Sequence, residues 1–457
     1  MKPLWVLAEN AVQNVVGHAQ WGTYSAMYSF GLLFIFLSDM GINQYGTKTL
    51  ASQPDLLKSY FPNLFTTKLI LNVVYPLLIV ATGYFIMRYD SKELYYLGLV
   101  CIMHGGNQLL QFFRANFQAM QAFRIESFAS VADKTILLVV IVAMLYTGIS
   151  VETYLFARIA VTVVAAIGFY IVLSNQYGWL RPRFEVKLVK RILKGSFAFA
   201  LITVLYSVHD KIDQVMLKEL YGEVETGLYA APYRWMDAFG MYIWMVLGGI
   251  FFAKFAYHIG ETKRLNHLLK FGQIISSVPI IYVCIFVFFY GEKLLWQQHN
   301  SSPEEMLIMG EVIRILFVAM LMNAYFSIYS TLLSSTGHEK AVNLMVLLAM
   351  IMNIVLNYIF IPKYGAIAAA WATVVSLAMN GVLYTSYTQW RLKEQVPYGL
   401  LLRLMLVSGL LFGVFWALES WGGIWYVNSA IALVAYGGMC VAFGIVKKDL
   451  LQDKHVD

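Results

Sequence analysis

Apolar runs long enough to cross a bilayer recur along the whole chain, near 23–46, 65–88, 94–121, 125–147, 152–175, 195–220, 228–254, 266–290, 304–334, 340–361, 365–389, 399–418 and 425–446. A bilayer offers no water to backbone groups, so such runs fold as helices that satisfy their own hydrogen bonds. The short alternating segments of a membrane β-barrel are absent. Hydrophobic residues make up 60% of the 457 and charged residues 13%, too little polar surface to cover a soluble domain. The chain reads as an all-α polytopic membrane protein.

The chain also reads as built twice over. The pattern G-x-Y-x-A-x-Y occurs as Gly22, Tyr24, Ala26 and Tyr28, and again as Gly227, Tyr229, Ala231 and Tyr233, an interval of 205 residues. Pro76 and Pro279, at nearly the same interval, are expected to interrupt corresponding helices. The two motif copies are an even number of spans apart, so the repeats run parallel, related by an axis along the membrane normal. This predicts a lobe over 1–175, a basic cytoplasmic linker over 176–194, a second lobe over 195–390, and two extra helices with a tail over 391–457. Each lobe has six helices. The first is expected to be shortened: the stretch from Lys2 to Val16 carries Glu9, Asn10, Gln13 and Asn14 and is too short for a full span. A natural start upstream of Met1 would account for it; a short re-entrant or interfacial helix is the alternative. With that helix the expectation is fourteen.

The net charge of +7 is not a nucleic-acid signal, because the basic residues sit mainly in short loops. Lys48, Lys58, Arg124, Arg181, Arg183, Lys187, Lys190, Arg191, Lys194, Lys263, Arg264, Lys340, Arg391, Lys393, Lys447 and Lys448 fall on one side. Arg88, Lys92, Lys293 and Lys363 fall on the other. The first side is cytoplasmic, with both termini. Cys101, Cys284 and Cys440 read as small buried hydrophobes, and His104 and His209 show no metal-ligand grouping. With no nucleotide-binding glycine loop either, no cofactor, no metal and no catalytic residue is expected. Asn300-Ser301-Ser302 matches a glycosylation acceptor, a pattern common by chance.

Charges within the spans carry the functional signal. An ionised side chain facing lipid at mid-depth costs at least about 2.5–3.5 kcal/mol, so such groups turn to a wet cavity or pair with one another. Asp39 and Arg114 fall toward the cytoplasmic ends of their helices, and Asp133 and Lys134 roughly a third of the way in. Arg158, Asp210, Lys211, Asp213, Arg234, Asp237, Glu311 and Arg314 fall in the outer half. Asp210 with Asp213, Arg234 with Asp237, and Glu311 with Arg314 each share a helix face. One reading is a hydrated cationic lumen for an anionic substrate, lined by Arg114, Lys134, Arg158, Lys211, Arg234 and Arg314. The acids Asp39, Asp133, Asp210, Asp213, Asp237 and Glu311 would then serve gating or ion coupling. The other reading is a set of ion pairs with no ligand. Tyr24, Tyr28, Tyr229 and Tyr233 read as an outer gate or a stacking surface for sugar rings, or as interfacial aromatic-belt residues.

Three stretches carry a family resemblance: G-T-Y-S-A-M-Y-S-F-G-L-L-F-I-F-L-S-D-M-G-I-N-Q-Y-G-T at 22–47, H-D-K-I-D-Q-V-M-L at 209–217 followed by G-L-Y-A-A-P-Y-R at 227–234, and N-Y-I-F-I-P-K-Y-G-A-I-A-A-A-W-A-T at 357–373. In order and spacing the chain resembles the Wzx-type polysaccharide flippases of the multidrug/oligosaccharidyl-lipid/polysaccharide exporter superfamily. The resemblance implies a MATE-like fold in a bacterial inner membrane. It implies a substrate in which an oligosaccharide is linked to polyprenyl pyrophosphate and moved between leaflets by alternating access. It places Asp213 and Arg234 in the family's patterns. It departs from the family in the incomplete first helix and in Ala368, where relatives often carry Gly. A pyrophosphate needs cations along its path, and guanidinium groups bind phosphate well. Other polysaccharide assembly proteins are possible partners.

Competing readings remain. A multidrug efflux pump on the same architecture would favour an acidic cavity, whereas this one reads as mixed to basic. A lipid II flippase would share the pyrophosphate headgroup. A glycan polymerase or transferase would present catalytic groups on a sizeable loop, and the longest outer loop, Gly291 to Glu305, offers only Glu292, His299, Glu304 and Glu305.

Overall fold

The computed structural model describes residues 2–52, 54–177, 182–394 and 396–446. Among these residues there are sixteen α-helices and no strands. In order they are α1 (Lys2–Val16), α2 (His18–Leu33), α3 (Phe36–Asp39), α4 (Ile42–Ser52), α5 (Leu57–Thr82), α6 (Ser91–Ala119), α7 (Phe123–Thr147), α8 (Val151–Tyr177), α9 (Val186–Leu220), α10 (Glu223–Val246), α11 (Phe252–Tyr257), α12 (Thr262–Leu294), α13 (Pro303–Ser335), α14 (Glu339–Tyr387), α15 (Tyr398–Ser420) and α16 (Trp425–Ala442). Eight helical stretches in the described residues are long and apolar enough to cross a membrane, or up to nine if a bent pair is counted as one span. Three further helices, α6, α9 and α13, have the length to span. Arg181, Lys447 and Lys448, named above among the cytoplasmic cations, lie outside the described residues, as does the tail over 447–457.

Several expected boundaries move, each for a local reason. The span expected over 23–46 is broken: α2 ends at Leu33, the chain bends by 49°, and Met40 takes a left-handed conformation after α3. The expected interruptions at Pro76 and Pro279 do not occur, because both prolines sit inside helices. At Pro279 the carbonyl one turn back, on Ile275, accepts a hydrogen bond from the Tyr242 hydroxyl at 2.9 Å, which makes good the lost helical bond. The basic stretch over 176–194 is partly helical, since α9 begins at Val186 and carries Lys187, Lys190, Arg191 and Lys194 on its first turns. The runs at 340–361 and 365–389 join into α14, which is non-helical at Gly365 (φ 53°, ψ −133°). Ser302 explains the Asn300-Ser301-Ser302 pattern structurally: with Glu305 it forms a capping box, with Pro303 at the first turn of α13.

The chain divides into two compact units, Met1–Ala230 and Ala231–Asp457. In the first, α6 packs on α2, α4, α5 and α8, and α2 packs along α9. Two apolar cores form there, one around Trp21, Tyr75, Tyr96 and Tyr154, the other around Phe61, Phe112, Phe113 and Phe117. The duplicated motif is longer in space than its sequence signature. Gly17 and Gly222, again 205 apart, both take positive φ and separate α1 from α2 and α9 from α10. The motif glycines then meet: Gly22 lies against the backbone of Glu223 and Gly227, and Gly227 lies against the backbone of His18. His18 and Glu223 are equivalent positions of the repeat, so the contact is self-complementary, as at a two-fold interface. Gln13 donates to the Gly227 carbonyl at 2.8 Å, and Ser25 and Ser29 both donate to Gln214 Oε1 at 2.6 and 2.9 Å.

In the second unit α12, α13 and α14 pack in sequence, and α15 and α16 pack on each other and on α12. Their core holds Tyr290, Phe415, Tyr436 and Cys440. Tyr290, where α12 departs from helical geometry, donates to Glu419 Oε2 at 2.5 Å and accepts from Asn428 Nδ2 at 3.0 Å.

Candidate functional site

The most elaborate polar site in the first unit is built around Arg158. Three helices each contribute two residues one turn apart: Trp5 and Glu9 from α1, Tyr24 and Tyr28 from α2, Tyr154 and Arg158 from α8. Arg158 is 9% exposed. Its Nη1 reaches the hydroxyls of Tyr24 and Tyr154 at 3.0 Å each, and Glu9 Oε1 at 3.4 Å. Tyr154 also donates to Glu9 Oε1 at 2.6 Å. The guanidinium lies 5.3 Å from the Trp5 ring, 5.5 Å from Tyr154 and 5.8 Å from Tyr28, within cation–π range. Trp21 packs against both Tyr24 and Tyr154. Every hydrogen bond of the guanidinium to the described residues runs through Nη1, so its Nε and Nη2 have no partner among them. That leaves open the edge an arginine uses for bidentate contact with a carboxylate or phosphate.

The other cations expected to line a lumen are held differently. Arg114 places Nε and Nη2 on Glu126 Oε1 at 2.8 and 2.6 Å, a pair joining α6 to α7. Lys134 lies 3.8 Å from its neighbour Asp133, with its side chain half exposed. Lys211 pairs with Asp210 at 2.8 Å. In the second unit, Arg314 shares a helix face with Glu311 but does not bond to it. It bonds instead to Glu292 Oε1 at 2.9 Å and to the Phe288 carbonyl at 3.0 Å, both on α12, while Glu311 is exposed. The neighbouring helix offers a carboxylate and a carbonyl together, which a residue one turn along its own helix cannot. Arg234 is half-buried and Asp237 exposed on α10.

The acids and tyrosines also separate by surroundings. Asp213 is 3% exposed and accepts from the Tyr229 hydroxyl at 3.2 Å, whereas Asp210, one turn away, is exposed. Tyr233 is buried on α10. Tyr28 packs on His104, whose Nε2 lies 3.0 Å from the Tyr28 carbonyl. Asp39 pairs at 2.5 Å with Lys68, a fully buried lysine that the sequence reading passed over. Glu126 drew no reading either, and Glu9 was read only as a polar residue of a shortened first helix. The available signal was the same for all three: a charge beside or inside an apolar run needs a partner. Outside the spans, Glu394 between α14 and α15 is 3% exposed, and burial pushes its carboxyl above the usual range.

The fold is shared with solved structures described as transporters of the MOP superfamily. The structure is similar to "Lipid II flippase MurJ, inward closed conformation", with a TM-score of 0.79 at 13% identity over 99% of this chain and 98% of that one. It is similar to an inward-facing multidrug resistance MATE family transporter (TM-score 0.70, 14% identity, 86% of this chain and 95% of that one). An outward-facing transporter of that family gives 0.56 at 13% identity over 85% and 92%. The chain belongs to the polysaccharide biosynthesis protein family, whose sequence profile matches residues 11–252. Among curated proteins, an uncharacterized membrane protein of Methanocaldococcus jannaschii is 26% identical over 212 residues, 45% of this chain. The match spans about half, 47%, of that protein's length.

Proposed function

We propose that this multi-pass membrane protein translocates an oligosaccharide linked to polyprenyl pyrophosphate from the inner to the outer leaflet of a bacterial inner membrane, by alternating access. The observation that carries the reading is the guanidinium of Arg158. It is held in place by hydroxyls and rings, its carboxylate contact is a single long one, and its bidentate edge is unoccupied among the described residues. A diphosphate can displace a weak carboxylate contact and occupy that edge with two charge-assisted hydrogen bonds. Trp5 and Tyr28, the partly exposed rings beside the guanidinium, provide surfaces suited to sugar rings. The family assignment and the fold shared with a lipid II flippase support the same cargo class. In this reading both termini face the cytoplasm.

The test is reconstitution in proteoliposomes with a fluorescent polyprenyl-pyrophosphate oligosaccharide, scoring label that reaches the opposite leaflet. Arg158→Ala should lower the rate at least about tenfold, with Arg158→Lys retaining part of it. In cells, loss of the protein should leave lipid-linked sugar on the cytoplasmic leaflet. Normal translocation with failed glycan polymerisation would refute the proposal.

A further inference from the structure

Lys68 lies in α5, is fully buried, and has no role in the Arg158 site. Its ammonium contacts two oxygens, Asp39 Oδ1 at 2.5 Å and the Ser38 carbonyl at 3.3 Å. Both belong to α3, the short helix between the two breaks that follow α2. The break makes this possible. In a continuous helix the Ser38 carbonyl would accept from the amide of residue 42; here the chain turns through left-handed Met40 and Gly41, and the lysine takes that carbonyl. The arrangement is braced by its surroundings. The Ser38 hydroxyl donates to Asn72 Oδ1, Asn72 Nδ2 donates to the Gly105 carbonyl at 3.1 Å, and the Asn43 amide donates to Asp39 Oδ1 at 3.3 Å.

A carboxylate beside a carbonyl released by a helix break is the chemistry with which transport proteins bind small monovalent cations. We infer that the α3–α4 break forms a monovalent-cation pocket whose resident cation is the Lys68 ammonium. The tethered ammonium neutralises Asp39 where an unpaired charge is costly, and it occupies both oxygens that a free ion would need. This does not rest on the flippase reading, because occupancy of the pocket is measurable without transport.

The experiment measures the thermal unfolding of the full-length purified protein in detergent, at fixed pH and ionic strength, in sodium, potassium, ammonium or choline chloride. The native protein should unfold at the same temperature in all four. Lys68→Ala exposes the two oxygens, and a small cation should raise its unfolding temperature over choline by about 3 °C or more. Asp39→Asn added to Lys68→Ala should abolish that response. If Lys68→Ala does not fold, Lys68→Gln keeps the stem and leaves Asp39 uncompensated, and should show the same cation response. A folded Lys68 variant indifferent to all four salts, or a native protein as responsive as the variant, overturns the inference.

Discussion

Gly22 and Gly227, 205 residues apart in sequence, lie against each other's helices: Gly22 on the backbone of Glu223 and Gly227, Gly227 on the backbone of His18. The obstruction a side chain would meet at either position is backbone, which has no rotamer to change. Gly22→Ala and Gly227→Ala should each lower stability by about 2 kcal/mol, in the range of overpacked sites, and the double variant by less than the sum. Thermal shift of the three purified proteins reads this directly; additive losses would mean the two glycines do not share one contact.

Arg158 and Glu9 predict an asymmetric pair of effects. Their contact is long and single, while Arg158 also holds two tyrosine hydroxyls. Arg158→Ala removes partners from Tyr24 and Tyr154 and should cost about 2–4 kcal/mol. Glu9→Gln keeps an acceptor for the Tyr154 hydroxyl and should cost under about 1 kcal/mol. If the acid proves as costly as the base, the pair is a structural lock and its use as a ligand site is weakened.

Arg114 and Glu126 should behave as a tie between helices. Glu126→Gln leaves a partly buried guanidinium poorly matched and should destabilise by about 2 kcal/mol. Replacing both with apolar residues, Arg114→Met with Glu126→Leu, should recover most of that loss. Translocation by the double variant should stay near the native rate, since this arginine has its carboxylate already.

Glu394 makes stability pH-dependent with a definite sign. Burial raises its folded-state pKa above the unfolded one, so its contribution is full below the ordinary carboxylate range and is lost as pH rises through the folded value. Glu394→Gln removes the ionising group. It should raise the unfolding temperature at neutral pH and flatten the fall in stability on leaving acid pH. A variant no more stable than native at pH 7.5 would contradict this.

Tyr242→Phe removes the donor to the Ile275 carbonyl opposite Pro279. The expected loss is about 1 kcal/mol, and replacing Pro279 with Ala, which restores a helical donor, should abolish the effect of Tyr242→Phe. Equal losses in both backgrounds would assign Tyr242 a packing role instead.

Helix identity was legible because a bilayer leaves the backbone few choices, and spans such as α7 and α15 lie within two residues of the hydrophobic runs. The repeat was legible through side chains, so its glycine hinge was seen only in part: Gly17 and Gly222 act through backbone angles, which no hydrophobic pattern registers. The break after Leu33 was hidden because its residues are as apolar as a continuous helix. Partners were the least legible. Depth along one helix cannot say which neighbour lies opposite, and so the pattern puts Arg314 on a face with Glu311 of its own helix but does not point to Glu292 across from it. Lys68 escaped notice because it sits near the end of a span, where a lysine ordinarily reaches water.

Tyr290 joins α12 to α15 and α16 through Glu419 and Asn428, at the place where α12 leaves regular helix. A long helix with an irregular turn would ordinarily flex there. Splinted by the final two helices, α12 is stiffened at its weakest joint, so that bending within this unit must be taken up elsewhere along the chain.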